Sequence, residues 1–313
     1  MNQVKVLEAG ILSTVQDLGR FGARRFGFSV CGALEGDHLR LANAAVGNPT
    51  SGSPTFGHTV EAAALELSGG PVRLELNRPT WACWFGVWPC SLQSGKPERI
   101  TSFETGGRGL LALAGGIAVP LIQGSRCTDL RAGFGGFEGR ALCRGDLLPL
   151  GVSHNTLEPS LPCWRVPPFQ LEGPVRAVRG PEWPHLNAAS QRALEGHSFR
   201  VSIHSNRMGL RLEGRALELA SPLELRSGPV LPGVVQLPPS GQLSVLLQDA
   251  GTVGGYPRVL TIAAVDLPRL AVLAPGTAVG FRLVSSEEAR RLFLERERHI
   301  QTLIHNIAQR RRG

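Results

Sequence analysis

Between residues 3 and 284 the chain reads as twelve short candidate strands, none longer than about eight residues, with glycine or proline between most of them. Runs of about 4–8 residues bounded by turn formers read as strands, whereas amphipathic helices need about 10–12. The runs fall at 3–8, 11–16, 64–68, 71–76, 98–103, 108–114, 174–179, 199–203, 230–237, 243–248, 258–265 and 278–284. This spacing points to barrels or sandwiches and away from a parallel sheet with helical crossovers. Glycine (39) and proline (23) make up about a fifth of the 313 residues. That is above the usual share but below the roughly 25–30% of low-complexity chains. With 42% apolar residues, a chain of this length can bury about 75% of its unfolded surface.

Three helices interrupt the strands. Leu34, Leu41, Ala42, Ala45 and Val46 recur at helical spacing over 33–46, and Gly47-Asn48-Pro49 stops the run. Asp266-Leu267-Pro268-Arg269-Leu270 reads as a short helix with Asp266 near its start. Ser285 and Glu288 have capping-box spacing, and Ala289, Leu292, Ile300, Leu303, Ile304 and Ile307 continue an apolar stripe that Arg296 interrupts. Leu110 to Ala114 is apolar on both faces and is expected to be a central strand. Pro159, Pro162, Pro167 and Pro168 mark a linker. The expected organisation is therefore a β-rich segment at 1–150, a second at 169–285, and a helix with a basic, partly frayed tail at 286–313.

The net charge of +8 invites nucleic acid or an anionic membrane as partner. Two features argue otherwise. Seven arginines against four glutamates lie in 286–313, so the rest of the charge is thinly spread, and no aromatic RNA-binding motif accompanies it. No run of 18 apolar residues and no signal-type segment is present, which predicts a cytoplasmic protein without a membrane span. Only two of the 33 basic residues are lysines, Lys5 and Lys96. Neither sits in a Gly-Lys-Ser/Thr loop or beside a methionine, which excludes a phosphate-binding P-loop and a biotinyl-lysine site. The six cysteines have no C-x-x-C pair and the eight histidines no H-x-x-x-H, so no metal site is expected.

Four stretches concentrate chemistry. Gln16, Asp17 and Arg20 place an amide, a carboxylate and a guanidinium within five residues. Such a set can hold a carboxylate or ureido oxygen; equally, Asp17 can cap backbone N–H groups while Arg20 pairs on the surface. Residues 124–136 are glycine-dense around Arg126, Cys127 and Thr128, either a ligand loop or a long hairpin loop. Residues 236–242 and 248–258 form a polar, glycine-rich corner with Pro238, Asp249, Gly254, Gly255 and Tyr256, the only tyrosine. Asn206 and Arg207 precede an alternating strand.

Together these motifs resemble the biotin-dependent carboxyltransferase family, also called allophanate hydrolase subunit 2, over about residues 4–284. The family includes the C subunit of bacterial 5-oxoprolinase and KipA, and matches part of urea carboxylase. The resemblance rests on 12–20, 32–35, 39–43, 46–49, 114–117, 124–136, 206–209, 234–241, 254–258 and 266–270. It implies a mainly β fold with a few helices and a cyclophilin-like β-barrel, in two β-rich subdomains plus the C-terminal helix. It implies a KipI-like partner (the 5-oxoprolinase B subunit), a LamB/YcsF-like partner (the A subunit), and use of ATP by the complex to hydrolyse 5-oxoproline to glutamate. The alternatives are a urea-type carboxyltransferase subunit that accepts carboxyl from biotin carried elsewhere, and a KipA-like regulator without catalysis. As catalytic residues the resemblance implies Asp249, Asp17 and Tyr256. As residues holding a small amide substrate it implies Gln16, Arg20, Arg126, Thr128, Asn206, Arg207, Pro238, Gly254 and Gly255. The sequence departs from the family at Gly251 (usually Gln), at Phe85-Gly86-Val87, at Leu110, and in an apparent insertion at 50–61.

Overall fold

The computed structural model describes residues 2–50, 62–68, 71–84, 90–100, 108–153 and 173–311. Residues 85–87, most of the 50–61 insertion and the proline-rich stretch 159–168 lie outside these. The chain divides into two compact units. One takes the described residues of 1–22, 31–168 and 298–313, the other those of 23–30 and 169–297.

The first unit contains strands β1 (Gln3–Ala9), β2 (Thr14–Gln16), β3 (Ala64–Ser68), β4 (Val72–Leu76), β5 (Thr80–Trp84), β6 (Cys90–Leu92), β7 (Glu98–Ile100), β8 (Arg108–Leu113) and β9 (Leu147–Pro149), with helix α1 (Gly36–Val46). They make two antiparallel sheets, in the orders β7-β4-β1-β9 and β2-β3-β8-β5-β6. β8 is central, as its two-faced apolar sequence predicts. Leu111 and Leu113 join Val4, Val6, Leu65 and Leu74 in the core fed by both sheets. Leu110 and Ala112 join Leu39, Leu41, Ala45 and Val46 of α1, together with Ile300 and Ile307. Alternation with period two thus supplies two different cores from one strand. Full burial of each leucine contributes about 1.5–3 kcal/mol.

The second unit contains β10 (Val175–Arg179), α2 (Ala188–Gly196), β11 (Ser198–Val201), β12 (Gly209–Glu213), β13 (Gly228–Pro229), β14 (Val234–Gln236), β15 (Leu243–Leu246), β16 (Val253–Gly254), β17 (Arg258–Ile262), α3 (Leu267–Ala271) and β18 (Ala278–Leu283). Seven of these strands close a barrel in the order β10-β17-β14-β15-β12-β11-β18, the closing β18–β10 pair being parallel. β13 and β16 form a separate ribbon. Alternate residues Phe199, Val201, Leu210, Leu212, Leu243 and Val245 are buried, and the Phe199 and Phe281 rings meet at 6.0 Å. The sequence does not signal α2, whose buried residues are only Ser190, Ala193 and Leu194. Asn187 caps it, accepting from Ser190 N at 2.8 Å.

Helix α4 (Ser286–Arg310) begins where the capping-box spacing places it, with Glu288 N donating to Ser285 Oγ at 3.1 Å. Its basic end is held rather than frayed as far as residue 311, because Arg311 Nη1 donates to the Ala44 carbonyl. No helix among the described residues is long and apolar enough to cross a membrane.

Asp266 precedes α3 but makes no side-chain cap. Its fully buried carboxylate instead accepts from Arg176 N and Nε at 2.8 Å, Arg176 Nη2 at 2.5 Å and Arg269 Nη1 at 3.1 Å. Burial alone would raise its pKa, yet the hydrogen bonds and charge of Arg176 outweigh it and hold the carboxyl below the usual range. A carboxyl whose folded pKa is depressed stabilises fully above its unfolded value of about 3.9, and that stabilisation is lost as pH falls through the folded value. Asp266→Asn should therefore cost about 3 kcal/mol at pH 7. It should also flatten the acid limb of stability below about pH 4. Thermal unfolding from about pH 2.5 to 7 spans that limb and checks this; an unchanged acid limb contradicts it.

Candidate functional site

In the first unit, the stretch from Thr14 to Arg20 and the loop 119–136 are stitched together by their own polar groups. Thr128 N and Oγ1 both donate to the Val15 carbonyl at 2.9 Å. Gln16 Nε2 donates to Thr14 Oγ1 at 3.0 Å and the Thr128 carbonyl at 3.4 Å. The Asp17 carboxylate accepts from Gly19 N at 2.8 Å, Ser125 Oγ at 2.7 Å and Arg126 N at 2.6 Å. Arg126 Nε donates to the Val119 carbonyl at 2.9 Å. Gly136, at φ +54°, faces Thr128 so closely that a Cβ would overlap the threonine hydroxyl. The glycine density of this loop therefore has a steric cause.

Arg20 is not on the surface. It is 0% exposed, donates to the Ile122 and Cys127 carbonyls, and lies 4.6 Å over the Phe134 ring. Among the described residues it makes no ion pair, and its Nη1 is buried without a hydrogen-bond partner, as is Gln16 Oε1. A buried polar atom left unpaired costs about 1–3 kcal/mol. The adjoining cavity of about 440 Å³ is lined by apolar side chains, including Val119, Ile122, Phe134 and Phe137. Cys127 is wholly buried.

The second unit gathers the remaining candidates. Arg207 grips Asp249 through two bonds, Nε to Oδ2 at 2.8 Å and Nη2 to Oδ1 at 3.0 Å, with both side chains almost entirely buried. Asp249 N donates to the Arg207 carbonyl, so backbone and side chain tie the same two segments. Asn206 Oδ1 accepts from Met208 N and Gly209 N, the turn that leads into β12. Arg24 reaches the Val230 and Gly251 carbonyls, and Ser29 Oγ the Asp249 carbonyl, seating residues 23–30 on this corner. Glu182 accepts from Arg258 N at 2.8 Å, Nε at 2.9 Å and Nη2 at 2.7 Å. The Arg258 hydrogen bond, against the opposing effect of burial, holds the Glu182 carboxyl below its ordinary range.

Pro238 and Tyr256 share a cavity of about 430 Å³ on the barrel. Asp249, Arg207 and Asn206 are not among its lining residues; they brace the turn and the corner beside it. The lining adds residues that sequence reasoning did not single out: His204, Arg211, Glu213, Gln236 and Ser244. Strand register explains their convergence. Arg211 pairs with Ser244 across β12 and β15, and Ser244 pairs with Gln236 across β15 and β14. Arg211 and Ser244 are polar residues on alternating strands, a pattern that reads as a solvated face until the pairing is known. Burial is the distinguishing mark of Gln236, which is 6% exposed.

Residues 26–283 match the family model described as carboxyltransferase domain, subdomain A and B. The chain belongs to this carboxyltransferase family. It is 38% identical to the 5-oxoprolinase C subunit of Escherichia coli (strain K12) over 97% of this chain and 99% of that protein. It is 32% identical to the 5-oxoprolinase C subunit of Haemophilus influenzae over 96% and 97%. The crystal structure of Kluyveromyces lactis urea carboxylase has the same fold, with a TM-score of 0.80 at 23% identity over 96% of this chain and 29% of that one.

Because Asp17 is the single acceptor for three donors that shape the loop, Asp17→Ala should destabilise the first unit by about 2–3 kcal/mol. Chemical denaturation is the check; a change within about 0.5 kcal/mol, ordinary for surface substitutions, would show that the loop holds without it.

Proposed function

We propose that the chain is the C subunit of an ATP-dependent 5-oxoprolinase, a cytoplasmic hetero-oligomer that opens the lactam of 5-oxoproline to glutamate. The supporting observation is likeness over essentially the full length of two proteins named as the C subunit of 5-oxoprolinase. The segment 1–150 serves as the carboxyltransferase-type part, 169–285 as the barrel that holds the amide substrate, and 286–313 as the terminal helix. The partners are a KipI-like B subunit and a LamB/YcsF-like A subunit.

Within this reading the cavity beside Tyr256 and Pro238 receives the substrate, with Gly254 and Gly255 behind its wall. Asp249 and Asn206 position Arg207 and β12, while Gln16, Asp17, Arg20, Arg126 and Thr128 shape the glycine-rich loop. The residues do not fit ATP. The cavity at that loop is walled mainly by apolar side chains, with Glu138 as its charged lining residue and no arginine or lysine in the lining. The nucleotide is therefore assigned to the partners. Biotin has no attachment lysine here, so a urea-type carboxyl transfer would need biotin on another chain.

Co-expression with both partners should give ATP-dependent glutamate release from 5-oxoproline, and the isolated chain should give none. Equal turnover by the partners without this chain would overturn the reading. Carboxylation of urea by a biotin-bearing partner, with no action on 5-oxoproline, would favour the carboxyltransferase alternative. A complex that forms but performs neither reaction would favour a regulatory one.

A further inference from the structure

The ribbon of β13 and β16 has two residues in each strand and stands outside the barrel sheet. None of those four residues is buried, and Val253 is 63% exposed. A lone two-stranded ribbon is only marginally stable in water, and segments with little buried surface open most readily. The ribbon is held at one end. Val230 N donates to the Thr252 carbonyl at 3.1 Å, and Arg24 Nη2 donates to the Val230 and Gly251 carbonyls, one on each limb. The chain is anchored again where Leu237 N donates to the Pro257 carbonyl at 2.9 Å. Between these anchors lie Gly254, Gly255 and Tyr256, and Tyr256 lines the barrel cavity.

The seated position leaves two donors unsatisfied. Gln236 lines the cavity, and a Cβ at Gly254 would lie 2.5 Å from its Nε2, so the ribbon seals that nitrogen from behind. Nε2 is buried without a hydrogen-bond partner, and so is Nη1 of Arg24. Buried donors without acceptors are unfavourable and rare in a settled core. We infer that the ribbon is a hinged plate behind the cavity wall: Arg24 latches it, and the unpaired carboxamide N–H of Gln236 biases it towards opening. Opening lets water reach Nε2 and carries Tyr256 with it, so the latch sets the shape of the cavity wall. The device is independent of what occupies the cavity.

Residue-resolved amide hydrogen exchange of the full chain tests this, with the amides of Val230 and of residues 253–256 as reporters. Gln236→Leu keeps the side chain's size but removes the unpaired donor, and should slow exchange there at least about threefold. Arg24→Met removes the latch and should speed it at least about tenfold. Amides of β12 and β15 should keep their wild-type rates in both variants, which separates opening of the plate from loss of the fold. Gly254→Ala should wedge the plate and speed exchange. In a Gln236→Ala background the colliding nitrogen is gone, and Gly254→Ala should then have no such effect, because contacting residues couple. Exchange at the ribbon that is unchanged or faster in Gln236→Leu overturns the inference, as does an unchanged rate in Arg24→Met or an equal effect of Gly254→Ala in both backgrounds. If Arg24→Met does not fold, Gln236→Leu and the Gly254 comparison decide the matter by the same criteria.

Discussion

Arg207 and Asp249 face each other through two hydrogen bonds with almost no access to water. Removing two charges from solvent costs several kcal/mol for each ion, and an apolar pair of equal volume would often be as stable. What the pair supplies is position. Arg207 lies in the turn that enters β12, and Asp249 lies in the corner that follows β15. Locking the two together fixes the ends of neighbouring strands. It is that register which sets Arg211 beside Ser244, and Ser244 beside Gln236. A slip of one residue would turn the polar row inward and the leucines outward.

The same need for fixed positions explains the preference for arginine over lysine inside the fold. Arg20 reaches two carbonyls, Arg24 two, and Arg126 one, while Arg176 and Arg258 each engage a carboxylate with three donors. A planar guanidinium presents several donors in fixed directions and is only weakly hydrated, so it can staple loops where an ammonium would have to shed a tighter water shell. Arginines that enter the net charge of +8 are thus engaged by internal oxygen atoms. A basic composition here says little about an anionic partner.

The fold was largely legible because its signals are local. Period-two burial in β8, the glycine stop after α1 and the Ser285–Glu288 cap each depend on residues within a few positions of one another. α2 escaped notice because a short helix with three buried residues has almost no apolar stripe. Asp266 looked like a helix cap because the motif is local, whereas its actual partner, Arg176, lies 90 residues away. The same limit governs the site. Arg20 reads as a surface charge from its neighbours in sequence, and only the loop around Cys127 and Phe134 buries it. Gln236 and Arg211 are ordinary strand polars until barrel closure aligns them. Gly254 looks like a turn glycine until the carboxamide it accommodates is placed.

Both carboxylates that the family resemblance offers as bases are already occupied. Asp17 accepts from two backbone N–H groups and a hydroxyl, and Asp249 accepts on both oxygens from one guanidinium. A general base must bring an available lone pair within hydrogen-bond reach of the proton it takes, and every oxygen of these two carboxylates already accepts at least one donor within the chain. The barrel cavity, by contrast, is lined by Gln236, Arg211, Ser244 and Tyr256, whose side chains carry hydrogen-bonding groups. On the proposed reading, this chain therefore contributes recognition and alignment, which can account for a large share of a rate enhancement through entropy alone. The same reading assigns the activated phosphoryl donor and the group that attacks or protonates the lactam to the partner proteins.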